Sequence, residues 1–207
     1  MKNKVGQFNR KGNKVISIAK IAAKLFSTRG YLETSMDEIA AAAKISKGGI
    51  YHYFTSKVEI LYFILNNYMD LVLGDLEEEL KGVEGDFAKI KYIISRHIDL
   101  YVRNVYEAKT LLHEAHNLPP KSFKIIAEKE RRYYQIVAGV LQSCLGASVE
   151  KDKVTAVAFT LFGMCNWIYS WYNSKGPVTP QQLSKIIFGI FTNGVSNLQD
   201  DGGRSYP

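Results

Sequence analysis

Cysteine and proline are both scarce in this chain. Cys144 and Cys165 are its two cysteines, and they lie in apolar runs without CxxC spacing. Neither a disulfide framework nor a zinc cluster is expected, only two small buried thiols in a reducing compartment. Five prolines in 207 residues leave long stretches free to be helical, and no strand-like alternation or long internal repeat stands out. Also missing are a serine or cysteine nucleophile motif, a phosphate-binding glycine loop and a dinucleotide fingerprint, so a non-enzyme is expected. The N-terminal MKNKVGQFNRKGNK is basic but has no continuous apolar core or small-residue cleavage site. A signal peptide is not indicated, and a cytoplasmic protein is expected.

Acidic side chains are sparse only at one end. The whole chain has 27 Lys and Arg against 20 Asp and Glu, a net +7. Residues 1–57 hold 11 basic and 3 acidic side chains, or +8, whereas residues 58–207 hold 16 and 17, or −1. This asymmetry predicts a polyanion-binding head at 1–57 and a neutral, aromatic-rich body at 58–207 with a different task. One charge-free run, residues 154–174, is long enough to span a bilayer. Its Thr155, Thr160, Asn166, Ser170 and Asn173, with aromatics gathered in the second half, instead favour a helix buried between core and partner subunit.

The pattern is helical throughout. Ile18, Ile21, Ala22, Leu25 and Phe26 form one stripe of a helix over 13–29, ended by Gly30. Ser35 with Glu38 forms a capping box for a helix over 36–43, and Ser46 caps another over 47–54. Ser56 with Glu59 opens a long helix to about Leu80. Beyond Gly82 and Gly85, helices are expected near 87–104, 106–117, 121–145, 150–173 and 180–198, with Pro119 and Pro120 as a break and Thr179-Pro180 opening the last. The expected fold is all-α, with about nine helices.

Thr34 to Phe54, TSMDEIAAAAKISKGGIYHYF, carries the chemistry. Two short helices joined by a tight turn form a helix-turn-helix, whose second helix enters the DNA major groove. On that helix Ile50 and Phe54 face inward, while Lys47 and Tyr51, with Gly48 and His52 beside them, face outward. Lys47 is suited to a base edge, Tyr51 and His52 to phosphate oxygens. Gly48 and Gly49 leave room for backbone approach. Ser35 and Lys57 lie near helix N-termini, where free N–H groups attract a phosphate.

The run Ser46-Lys47-Gly48, Tyr51, Phe54 and Ser56-Lys57 resembles the TetR family of bacterial transcriptional regulators, and the likeness in helix layout extends over the whole chain. The resemblance implies DNA contacts from Ser46, Lys47, Gly48, Tyr51, His52 and Lys57. Lys44 stands where the family's turn usually has glycine, a substitution that strains the backbone by roughly 1 kcal/mol if φ is positive. Gly49 stands where a slightly larger residue is usual.

HEAHNLP at 113–119 and FGMCNWIYSWYNSKG at 162–176 are similar to the branch of the family that controls fatty-acid or sterol catabolism and responds to acyl-coenzyme A. That likeness implies an acyl chain among Met164, Trp167, Ile168 and Trp171, with Phe162 nearby, and coenzyme phosphates at Arg96, Arg103, Arg131 or Arg132. A multidrug or aromatic-compound sensor is the alternative effector class. A single recognition helix reads few base pairs, so a homodimer on a palindromic operator is expected. Val157, Leu161, Ile186, Ile190 and Val195 are its candidate interface residues, and Gly189 and Gly194 allow close approach. His113, Glu114 and His116 suggest a metal-dependent enzyme as a distant alternative, but their spacing supplies no third ligand.

Overall fold

Local side-chain chemistry starts and stops the helices of the chain, seen here in a computed structural model that describes residues 2–199 and the side chains of 12–194. The first helix, α1 (Lys2–Arg29), stops at Gly30, whose φ of 96° is the left-handed conformation that suits glycine. The Ser35–Glu38 capping box is complete and opens α2 (Met36–Ala42). Ser46 caps α3 (Lys47–Ile50) by accepting from the Gly49 N–H at 3.0 Å. At α4 (Lys57–Leu73) the box is shifted: Ser56 accepts from the Glu59 N–H, but the Glu59 carboxylate takes the N–H and hydroxyl of Thr55.

Gly74, at φ 35°, separates α4 from α5 (Leu76–Lys81), so the helix expected to reach Leu80 is broken once. Then follow α6 (Asp86–Arg103), α7 (Val105–Glu114), α8 (Pro120–Leu145), α9 (Lys151–Asn166) and α10 (Pro180–Gln199). Thr179 caps α10 with a reciprocal Gln182 bond, and Pro180 occupies its first turn. The expected single helix over 150–173 is corrected: after Asn166 it tightens to a 3-10 turn, Trp167–Ser170. Among the described residues the fold is entirely helical, and no helix is long and apolar enough to cross a membrane.

The chain forms two compact units. The first comprises Met1–Asp70 with Asn104–Glu128, and so extends beyond residues 1–57. Its interior joins Ile18, Ala22 and Phe26 of α1 to Ile39, Ile50, Phe54, Ile60 and Leu61, all nearly inaccessible to solvent. There α7 packs on α1, and buried Thr110 donates to the carbonyls of Tyr106 and Ala23. Removing that apolar surface from water stabilises the unit by about 25 cal/mol per Å2.

The second unit comprises Leu71–Arg103 with Lys129–Pro207. Ile90, Ile94 and Ile98 repeat at the interval that lines one face of α6, and the Ser95 and Ser184 hydroxyls meet where α6 packs on α10. Val154, Val157, Ala158, Leu161 and Cys165 put the buried stripe of α9 into the same interior. Burial pushes the Cys165 thiol up to about 12, so it is an inert hydrophobic side chain.

Candidate functional site

The turn between α2 and α3 places an exposed face on rigid supports. Ile39 and Ile50 are fully buried and Phe54 nearly so, which anchors both helices from beneath. Lys44 has φ 53°, the left-handed conformation anticipated for that turn position, and its N–H donates to the Ala41 carbonyl. The Lys14 ammonium reaches the Ala43 carbonyl, helping to close the C-terminal end of α2. The regular part of α3 is one turn long; hydrogen bonds from Tyr53 and Phe54 to the Ile50 carbonyl continue it as a turn, correcting the helix expected over 47–54.

Lys47, Gly48, Tyr51 and His52 are all exposed on this segment. Gly48 has open space where a Cβ would stand, so its backbone is accessible from outside. Gly49 has a different reason: an added Cβ would lie 2.9 Å from the Ser46 hydroxyl that caps the helix. Lys47 Nζ pairs with Asp37 Oδ2 at 2.7 Å, both side chains being more than half exposed. That hydrogen bond, with the carboxylate charge, raises the Lys47 pKa. Ser35 contributes its cap, and the cap bonds together with Arg29 and Lys57 hold the Glu38 carboxyl below its ordinary range.

Lys57 is placed differently from the sequence expectation. Its ammonium donates to the carbonyls of Tyr31 and Thr34 at 2.7 Å and of Leu32 at 3.3 Å, and it lies 4.3 Å from the centre of the Tyr31 ring. These bonds tie the α1–α2 loop to the start of α4, so the ammonium is engaged within the chain. What remains at the helix start is backbone N–H.

In the second unit the polar centre is His97. Its Nδ1 lies 2.9 Å from the Tyr133 hydroxyl and its Nε2 2.9 Å from Asn166 Oδ1. With the Asn166 oxygen as acceptor, Nε2 carries the proton and Nδ1 accepts from Tyr133. Burial, followed by nearby Arg96, lowers the His97 pKa to about 4 despite the opposing Asn166 bond, leaving the ring neutral at pH 7. The rings of Tyr133 and Phe162 flank it. No local spacing marks His97 in the sequence, because its partners lie on α8 and α9, 36 and 69 residues away.

The expected ligand residues separate. Ile168 is buried and Phe162 and Met164 half-buried, but Trp167 and Trp171 are 62% and 60% exposed and do not line an interior. Arg103 is exposed and paired with Asp99; Arg96 grips Glu79 and the Leu71 and Val72 carbonyls at the end of α4; Arg132 pairs with Glu77. The expected interface residues also divide. Val157 and Leu161 belong to the chain's own core, whereas Ile186 and Ile190 are 50% and 62% exposed, as is Phe159 on α9 at 61%. Val195 lies outside the residues whose side chains are described. Among the described residues no group of three or more His, Cys, Asp or Glu could hold a metal. Glu114 instead receives the Asn117 amide through both its carboxylate and its carbonyl, closing the end of α7.

Residues 18–62 match the family described as bacterial regulatory proteins, tetR family, and residues 86–195 match the tetracyclin repressor-like, C-terminal domain. The chain is similar to the HTH-type transcriptional repressor KstR2 of Mycolicibacterium smegmatis, with 26% identity over 89% of this chain and 91% of that protein. A TetR-family transcriptional regulator from Bordetella parapertussis has 28% identity and a TM-score of 0.84, over 88% of this chain and 96% of its own. AibR, solved in complex with isovaleryl coenzyme A and operator DNA, has 28% identity and a TM-score of 0.74, over 86% and 97%. The helix-turn-helix, its exposed basic face and these two consecutive family matches agree: the chain belongs to the TetR family of bacterial transcriptional regulators, which are DNA-binding proteins and not enzymes.

Proposed function

We propose that this protein is a homodimeric repressor that leaves a palindromic operator when a hydrophobic effector binds within residues 58–207. The observation that carries this reading is the outward face of α3, where Lys47, Gly48, Tyr51 and His52 are exposed above buried Ile50 and Phe54. Lys47 reads a base edge and Tyr51 and His52 hold phosphates, with Ser35, Lys44, Ser46 and Gly49 shaping the approach. At α4 the backbone N–H groups near Lys57 take a phosphate in place of the engaged ammonium.

Pairing through exposed Ile186 and Ile190 of α10, with Phe159 of α9, sets two recognition helices about 34 Å or one further helical turn apart. The effector acts by favouring a conformation whose recognition helices miss that spacing, a coupling of typically 1–3 kcal/mol. An acyl-coenzyme A is the effector class we favour. Support comes from AibR, whose complex holds isovaleryl coenzyme A, and from the apolar surroundings of buried Ile168 and the rings packed about Phe162.

The test uses an operator selected from genomic fragments. Joint replacement of Lys47 and Tyr51 by Ala abolishes specific retardation while the protein stays dimeric; undiminished binding by that variant overturns the assignment. Native mass spectrometry of the purified protein distinguishes a co-purifying acyl-coenzyme A from an aromatic drug-like ligand.

A further inference from the structure

Tyr101 of α6 is 2% exposed, and its hydroxyl is the one enclosed side-chain polar atom among the described residues without a hydrogen-bond partner. An enclosed hydroxyl that has left water without gaining a partner is destabilising, and native interiors keep few of them. Phenylalanine would bury the same ring without that penalty, so the oxygen points to a partner absent from the chain itself.

Its surroundings restrict that partner. Tyr101 follows His97 by one helical turn, on the same face of α6. Both His97 nitrogens are already engaged by Tyr133 and Asn166, so the network beside Tyr101 is closed. Burial first, and neighbouring Tyr169 second, raise the Tyr101 pKa, which keeps the hydroxyl protonated and able to donate. No Lys or Arg is buried among the described residues. The two arginines of α6 are occupied, Arg96 by Glu79 and the end of α4, Arg103 by Asp99. A carboxylate beside Tyr101 would therefore be an unpaired buried charge, whereas a carbonyl needs only the donor. The turn Trp167–Ser170, where α9 tightens, carries Tyr169 to this place, and such 3-10 departures mark points where a helix adjusts.

We propose that the Tyr101 hydroxyl is the hydrogen-bond donor for the uncharged carbonyl of an otherwise apolar ligand, an ester or thioester and not a free fatty acid, held inside the second unit. This rests on the reading that residues 58–207 take an effector, and it adds the atom that distinguishes the acyl derivative from the acid.

The probes are methyl octanoate, octanoyl-coenzyme A and octanoate, titrated into full-length wild type and Tyr101→Phe with tryptophan fluorescence as readout. The wild type binds methyl octanoate about tenfold or more tighter than octanoate, and the variant loses about tenfold toward both carbonyl probes. Without ligand the variant melts at the same or a higher temperature, which a structural hydroxyl would not allow. Equal affinity of the two proteins for the ester, failure of the wild type to bind either carbonyl probe, or a lower melting point of the variant with unchanged affinity overturns the proposal. Operator retardation separates the two readings. Probe binding that spares the operator complex upholds the Tyr101 site and removes the effector role. Release by octanoate equally well from both proteins removes the site and keeps the repressor.

Discussion

Lys47 Nζ stands 2.7 Å from Asp37 Oδ2, so the lysine best suited to reach a base edge is held by a carboxylate of the preceding helix before any DNA arrives. The pair is exposed, and its worth to folding is small. Its effect is on charge: Asp37 cancels the cation where non-specific phosphate attraction would otherwise act, and it also orients the side chain.

Asp37→Asn therefore leaves the melting temperature almost unchanged and tightens binding to non-specific DNA. The logarithmic salt dependence steepens by about one phosphate equivalent, and the preference for operator over competitor falls. Fluorescence anisotropy at several salt concentrations reads all of this; an unchanged salt slope would show that Asp37 does not screen Lys47.

Lys57→Gln removes a clamp and not a phosphate contact. With three carbonyls of the loop after α1 losing a charged donor, stability to urea falls by about 2 kcal/mol. Well below its new melting point the variant still retards operator DNA. Loss of binding with intact stability would assign Lys57 to DNA directly.

His97 gives the protein an acid limit. The ring is bound neutral with a pKa near 4, below its ordinary 6.5, so the unfolded chain takes up the proton first as pH falls. Stability is unaffected above pH 6.5, declines between 6.5 and 4, and has lost about 3 kcal/mol from this group below pH 4. In His97→Gln that segment of the pH profile flattens, as measured by denaturant midpoints across the range.

Ile190 and Leu161 answer differently to substitution. Ile190→Asp, on an exposed position of α10, leaves a folded protein whose dimer dissociates at least about tenfold more readily in sedimentation analysis. Leu161→Ala, at 2% exposure, costs about 2–4 kcal/mol of stability without changing the association of folded subunits. A dimer equally strong in both variants would move the interface elsewhere.

The helix starts were legible because capping is a matter of adjacent residues: Ser35 with Glu38, Ser46, and Thr179 with Pro180 could be read in order along the chain. The inward Ile50 and Phe54 follow from the same local spacing, whereas the left-handed turn at Lys44 is implied only by the family resemblance. Asp37 as the partner of Lys47 is not legible in the sequence, because a contact across a helix-turn-helix leaves no periodic trace. Trp167 and Trp171 look like pocket walls in an aromatic-rich run, yet the tightening of the chain after Asn166 turns them outward.

From its order of residues alone, this protein was bound to be helical, to concentrate its positive charge in the first 57 positions and to present Lys47 and Tyr51 from a short second helix, since periodicity, net charge and capping are short-range properties. Packing alone decided which apolar side chains were left over for a partner, which cations were engaged, and that His97 and Tyr101 became an interior polar centre. Those outcomes depend on groups from helices far apart in sequence meeting in a medium without water, where each donor and charge takes its value from the neighbours the fold supplies.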